Sequence, residues 1–288
     1  MKKIAIVTAT RAEYGILRPL ILKLNQDKDL EMQLLVTGMH LEEKYGYTKN
    51  EIDKDGIPIF KCIPILEDGN SEYDISITMA NAIKGFAEYF RDETPDMLIV
   101  LGDRTEILGV CAAAMNARVP IAHLHGGEIT EGAVDDSVRH AVSKMSYLHF
   151  PANEAYRKRI IQMGESPERV FNVGALGVEN ILNVPLLSKE DLCNQIDMPR
   201  DKKYVVMTFH PVTLEGEGIE AQVDEVLASI DKYNEYFYLI TKANADAGGE
   251  KVNEMLEQYA STHDNVKLVA SLGMVRYLSS LKYAEFAL

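Results

Sequence analysis

A doubly wound α/β architecture in two units is what this chain predicts, from three observations. Short apolar runs alternate with helix-period segments along the whole length, the runs are apolar on consecutive positions, and a composition break divides the series in two. Strands apolar at every position belong to parallel sheets covered by helices on both faces. Alternation of strand with helix supplies the crossovers that such sheets need.

In the first series the candidate strands are Ile4–Thr8, Met32–Thr37, Ile59–Ile65, Met97–Leu101, Val119–Leu124, Tyr147–Pro151 and Val170–Val173. Helical stretches fall at Ile16–Asn25, Ile75–Phe90, Ile107–Asn116 and Ser137–Met145. The second series runs strand Tyr204–Thr208, helix Gln222–Lys232, strand Tyr236–Thr241, helix Gly249–Tyr259, strand Val266–Val269 and helix Val275–Tyr283. The change falls in Gly174–Asp201, with a hinge around Gly177–Pro185, and predicts Rossmann-like domains at 1–178 and 179–288. Two such halves facing each other are expected to enclose a cleft for a small molecule. Phe286–Leu288 resembles the opening of another strand. A sheet that stops there would leave an edge uncovered, so the second domain is expected to be incomplete.

At 288 residues and 47% hydrophobic content, the chain can bury two cores. A net charge of −14 repels phosphate backbones and anionic lipid, which argues against nucleic-acid or membrane-surface partners. An anionic small molecule can still bind where local donors and helix N-termini overcome that field. Cys62, Cys111 and Cys193 are odd in number and widely spaced, which fits neither a disulfide framework nor a structural zinc site. The N-terminal MKKIAIVTATRAEYG has only IAIV as its apolar run, too short for an export signal, and reads as a first buried strand. A cytoplasmic protein is expected.

The loops after the strands hold the candidate chemistry. In a doubly wound sheet, loops at the carboxyl ends of strands line the ligand crevice. After the first strand comes Arg11, whose forked guanidinium suits a diphosphate, or which could serve as a surface arginine. The absence of GxGxxG removes support for an ordinary dinucleotide site. Asp103 follows the fourth strand and Gly102; with Glu106 three residues on, it also reads as a helix-capping box. The densest segment is His123-Leu124-His125-Gly126-Gly127-Glu128, followed by Asp135, Asp136, Arg139 and His140, where proton transfer is expected. By the two-residue strand period His123 and His125 share a face and could form a metal pair. Nothing fixes a third ligand beyond Glu128, so no metal is assigned. The double aspartate could instead cap a helix beginning near Ser137. In the second half His210 stands at a strand end before proline, and Lys242–Gly249 is a small-residue loop suited to hydroxyls or phosphate, or to an ordinary turn.

The ordered set TRAEYG, VTGMH, LGDR, HLHGGE, DDSVRHAVSK, QMGE, FHPVT and NADAG resembles the hydrolysing UDP-N-acetylglucosamine 2-epimerases of sialic-acid and related nonulosonic-acid synthesis, across essentially the whole chain. That resemblance implies a fold similar to the GT-B glycosyltransferases. It also implies conversion of a UDP-2-acetamido sugar and water to UDP and the free 2-epimer, with no cofactor or required metal, in a homodimer. By the same resemblance Arg11 binds diphosphate, and Asp103, Asp135 and Asp136 supply acid–base or cation-stabilising carboxylates. Arg139 orients the aspartate pair, Arg104 joins the substrate-binding set, and His210 and Asn244 contact the sugar diphosphate. Glu179 is an acidic sugar contact. Many relatives read HxEGGE where this chain has His125, which leaves the acid–base role between His125 and Glu128 open. The family continues past a strand like YAEFAL into a Gly-Asn-Ser-Ser-Ser-Gly clamp for the uridine diphosphate, so a polypeptide of these residues alone is expected to turn over poorly. A GT-B glycosyltransferase and a non-catalytic nucleotide-sugar-binding module are the alternatives.

Overall fold

Ala5, Ile6 and Val7 are each at most 1% exposed, so the first strand buries both of its faces, as consecutive apolar residues require. The computed structural model describes all residues except 70, 132–133, 211–217 and 245–247. Parts of two motifs, Pro211–Thr213 and Ala245–Ala247, therefore lie outside the described residues. The chain divides into two units, Met1–Leu182 and Asn183–Leu288.

The first unit comprises β1 (Lys2–Thr8), α1 (Arg11–Gln26), β2 (Leu30–Thr37), α2 (Lys49–Lys54), β3 (Ile59–Ile63), α3 (Glu72–Asp92) and β4 (Met97–Leu101). It continues with α4 (Thr105–Asn116), β5 (Ile121–Leu124), α5 (Asp135–Met145), β6 (Leu148–Phe150), α6 (Glu154–Gln162) and α7 (Leu176–Asn183). Its six strands are parallel in the order β3-β2-β1-β4-β5-β6. The order reverses between β1 and β4, where successive crossovers leave on opposite sides and open a crevice at the carboxyl edge. Alternate strand residues feed two cores. Ala5, Val7, Leu98, Val100 and Ile121 pack with Phe86, Ile107, Val110 and Val142 from α3, α4 and α5. Ile6, Leu34 and Val36 pack with Tyr14, Leu17 and Ile21, one helical stripe of α1.

The second unit holds α8 (Lys189–Ile196), β7 (Tyr204–Thr208), α9 (Ile219–Lys232), β8 (Phe237–Thr241), α10 (Gly249–Ala260), β9 (Val266–Val269), α11 (Gly273–Tyr283) and β10 (Phe286–Ala287). Its parallel sheet has the order β10-β7-β8-β9, with Phe286 and Ala287 registered against Val205 and Val206. Val205, Met207, Tyr238 and Ile240 face α9 and α10, while Tyr204, Val206, Phe237 and Leu239 face α8 and its neighbours.

One sequence expectation needs correction, and two helices lack a sequence signal. Val170–Val173 is not a strand: Val170 makes an isolated bridge to His149, and Phe171 and Val173 stay about half exposed. Helices α2 and α6 carry little apolar periodicity, because each buries a single side chain, Ile52 and Ile160 respectively. No described helix is long and apolar enough to cross a membrane.

Helices α3 and α4 meet closely at Gly109, where an added Cβ would lie 2.7 Å from the Met79 carbonyl oxygen and 3.2 Å from the Ala82 Cβ. Alanine normally gains about 1 kcal/mol over glycine inside a helix. Here the clash outweighs that gain, and Gly109→Ala is expected to lose about 1–3 kcal/mol. Urea titration checks it: a midpoint at or above wild type would contradict the close-packing account.

Candidate active site

The turn after β1 is locked by its own sequence. Thr10 caps α1, its Oγ1 accepting from the Glu13 N–H at 3.3 Å. Glu13 Oε2 in return accepts from the Ala9 and Thr10 N–H groups at 2.7 and 2.9 Å. This reciprocal box makes Arg11 the first helical residue and fixes its backbone. Gly38 (φ +57°) packs against Ala9 so closely that a Cβ would sit 2.9 Å from the Ala9 carbonyl oxygen. His40, fully buried, joins Thr8 Oγ1 (2.9 Å) to Thr48 Oγ1 (2.8 Å), and burial lowers its pKa to about 4, so the ring is neutral. Below the turn, burial pushes the Glu13 carboxyl up to about 7; the Arg104 guanidinium opposes the rise and Glu106 adds to it. Arg104 itself donates from Nε to Glu106 Oε1 at 2.6 Å.

Asp103 does not cap α4: the cap position is Arg104, with no side-chain cap bond. The carboxylate instead pairs with Arg139, which is 5% exposed and comes from the second turn of α5. Arg139 Nη2 also donates to Thr130 Oγ1 at 3.0 Å, and Nη1 lies 4.0 Å from Asp136 Oδ1. His140 Nε2 stands 4.0 Å from the same aspartate oxygen. Both Arg139 Nη1 and Asp136 Oδ1 are buried without a hydrogen-bond partner among the described residues. Helix α5 starts at Asp135, two residues before the expected Ser137, with Val134 at its cap and no side-chain cap bond. The two aspartates therefore occupy the first turn, where the helix dipole favours negative charge.

His125 lies beyond β5 with φ +62°, in the left-handed region, so it does not continue the strand alternation of His123. The strand alternation on which the metal-pair reading rested therefore does not hold at His125, and both of its ring nitrogens have protein partners. His125 Nε2 accepts from the Leu176 N–H at 3.3 Å, and Nδ1 is 3.2 Å from Glu128 Oε1. An accepting Nε2 puts the proton of the neutral ring on Nδ1, facing the carboxylate.

Direct contact thus joins Asp103, Arg139 and Asp136, and separately His125 and Glu128. Arg11 shares the same sheet edge, at the end of β1 next to β4. Glu179 sits on α7 in the first unit and pairs with Lys23 Nζ at 3.5 Å. His210 is exposed past the end of β7, and Asn244 is half-buried past the end of β8. Sequence reasoning missed Glu13 and Thr130. The Thr10-to-Glu13 spacing is a readable capping signal, whereas nothing local marks Thr130.

Fold and site define an α/β enzyme with GT-B-like Rossmann units, whose acidic and basic side chains meet at the carboxyl edge of a parallel sheet beside the reversal of strand order. The UDP-N-acetylglucosamine 2-epimerase family matches residues 22–288. A Campylobacter jejuni GDP/UDP-N,N'-diacetylbacillosamine 2-epimerase (hydrolyzing) is 41% identical over 99% of this chain and 74% of its own length. The Escherichia coli polysialic acid biosynthesis protein P7 is 37% identical over 99% and 72%. A Legionella pneumophila UDP-N,N'-diacetylbacillosamine 2-epimerase (hydrolyzing) is 35% identical over 100% and 76%. In fold, the crystal structure of Neisseria meningitidis UDP-GlcNAc 2-epimerase bound to UDP-GlcNAc superposes with a TM-score of 0.79 at 18% identity, over 100% of this chain and 77% of that one. The chain belongs to the UDP-N-acetylglucosamine 2-epimerase family and carries its epimerase domain.

The Glu13 carboxyl generates a pH prediction. Its folded-state pKa, about 7, lies above the ordinary 4.5, so the folded protein binds more protons than the unfolded chain between those values. Stability contributed by protonated Glu13 is full below about 4.5 and is lost as pH rises toward 7. Glu13→Gln keeps an accepting oxygen for the two amides and removes the charge. Its stability relative to wild type should therefore rise between pH 5 and pH 7 (about two units, within the linkage window). Denaturant titrations at both pH values check this; an unchanged difference would refute it.

Proposed function

We propose that this chain is the catalytic body of a hydrolysing 2-epimerase acting on a UDP-linked 2-acetamido sugar, with a 2,4-diacetamido-trideoxy sugar ahead of N-acetylglucosamine as the glycosyl group. Support for the sugar comes from the names of the Campylobacter and Legionella relatives, both diacetylbacillosamine 2-epimerases. The polysialic-acid relative supports a place in sialic or nonulosonic acid synthesis. The observation that carries the reading is the Asp103–Arg139–Asp136 cluster at the sheet edge.

In this reading a base takes the C2 proton, the C1–O bond breaks with its electron pair leaving on UDP, and a C1–C2 double bond forms. Water then adds its hydroxyl to C1 and a proton to C2 on the opposite face, releasing the free 2-epimer. Asp103, Asp135, Asp136, Glu128, His125 and His210 form the acid–base set. Arg11, Arg104 and Arg139 supply cationic support for the departing diphosphate, and Glu179 and Asn244 contact the sugar nucleotide. Arg139 Nη1 and Asp136 Oδ1, 4.0 Å apart and neither in a hydrogen bond among the described residues, offer a donor and an acceptor to a substrate hydroxyl. His125 Nδ1 lies against Glu128 while Nε2 accepts from Leu176, which orients the pair within the acid–base set. We further read the enzyme as cytoplasmic and as a homodimer; light scattering would test the dimer.

Two measurements check this function. Turnover of the UDP-sugar in deuterated water should place one deuterium at C2 of the free sugar, with one UDP released per sugar. A product without deuterium would sink the elimination, and transfer to an acceptor with no free sugar would favour a glycosyltransferase. Asp103→Asn should lower kcat by about 10²-fold or more. The asparagine oxygen still accepts from Arg139 but leaves its buried charge unmatched, so Tm should fall by about 5 °C or more and turnover is read well below it; near-normal turnover of the folded variant would remove Asp103 from the reaction.

A further inference from the structure

His123 takes part in no step above, yet it is fully buried, one residue before the carboxyl end of β5. Its Nε2 lies 2.7 Å from the Gly102 carbonyl oxygen, and its Nδ1 lies 3.1 Å from Ser143 Oγ, which is equally buried. A carbonyl can only accept, so Nε2 carries the proton. Burial lowers the ring's pKa to about 4, which keeps it neutral and leaves Nδ1 to accept from the Ser143 hydroxyl.

We propose that His123 and Ser143 are positioning residues for the reaction: a line of hydrogen bonds from Ser143 Oγ through the His123 ring to the Gly102 carbonyl sets the plane of the Gly102–Asp103 peptide, and with it the aim of the Asp103 carboxylate. This rests on the reading of Asp103 as a reacting group.

Three observations converge on it. Gly102 has φ +76°, so its peptide is turned out of the strand, and the fixed points on it matter. Its N–H donates to the Leu124 carbonyl at 3.0 Å and its carbonyl takes the His123 proton, so β5 holds the residue from both ends. Ser143 and Arg139 are one turn apart on α5 and therefore share a face. Arg139 grips the Asp103 side chain while Ser143, through His123, grips the peptide that carries it. Lastly, a Cβ at Gly126 would lie 2.9 Å from both His123 Nδ1 and Ser143 Oγ. The first glycine of the GG pair is thus the residue that lets the loop close over this bond.

The test compares His123→Gln, whose amide N–H can replace the Nε2 donor, with His123→Leu, which cannot, alongside Ser143→Ala and Asp103→Asn in the active enzyme. A misaimed reacting group costs up to about 10²-fold in rate. His123→Leu should approach that loss in kcat and Ser143→Ala should lose about 10-fold, each with KM within about twofold of wild type. His123→Gln should recover to within about fivefold of wild-type kcat although loss of the ring still lowers its Tm. Nitrogen-15 spectra of the histidine-labelled protein should show the Nε2–H tautomer for His123. Retention of kcat by His123→Leu, an equal loss in His123→Gln, or an Nδ1–H ring each overturns the proposal. If Asp103→Asn turns over normally, the reading of Asp103 falls by itself, and the tautomer then decides whether the hydrogen-bond line exists.

Discussion

The ion pair between buried Arg139 and partly buried Asp103 is the constraint on which the site depends. A guanidinium taken out of water must be matched by an anion and by hydrogen-bond acceptors, or the fold carries an uncompensated charge. Asp103 and Thr130 meet that need from two separate loops, and Asp136 approaches from the helix itself. The pair therefore ties the carboxyl end of β4 to α5, which follows the next strand, β5, along the chain. Once α5 is so held, its first turn brings Asp135 and Asp136 to the same edge as Asp103.

Local charge here opposes global charge. The protein as a whole carries −14, yet Arg11, Arg104 and Arg139 gather at one sheet edge. Acidic side chains hold each arginine that the contacts describe: Glu106 holds Arg104, and Asp103 holds Arg139. Partial neutralisation of this kind orients cations without saturating them, the condition for receiving an anion such as a diphosphate.

Turn chemistry places these groups as much as charge does. Gly38 after β2, Gly102 after β4, and His125 and Gly127 after β5 all take positive φ. Each left-handed residue ends a buried strand abruptly and sends the chain back across the sheet edge, so short loops hold their side chains close to the crevice. His125 does this without being glycine, and its two ring nitrogens are both engaged, by Leu176 and Glu128, which fixes it there.

Periodicity and composition by themselves determined the two-unit α/β class, because a strand buried on both faces can have no polar alternation. They also located Arg11, Asp103, His125, Glu128, Asp135 and Asp136 at strand ends and helix starts, since loop position is a one-dimensional property. Elements with a single buried residue, α2 and α6, lacked that signal and were not foreseen. Only the tertiary structure decided what each charged group does. Asp103 followed by Glu106 is a capping pattern in sequence, yet the cap is unused because Arg139, 36 positions away along the chain, is the stronger partner once packing buries it. Likewise His123 and His125, two apart, are separated by a left-handed turn that no spacing rule contains. Contacts between distant segments carry no local signature, and they are what turns a set of strand-end residues into a site.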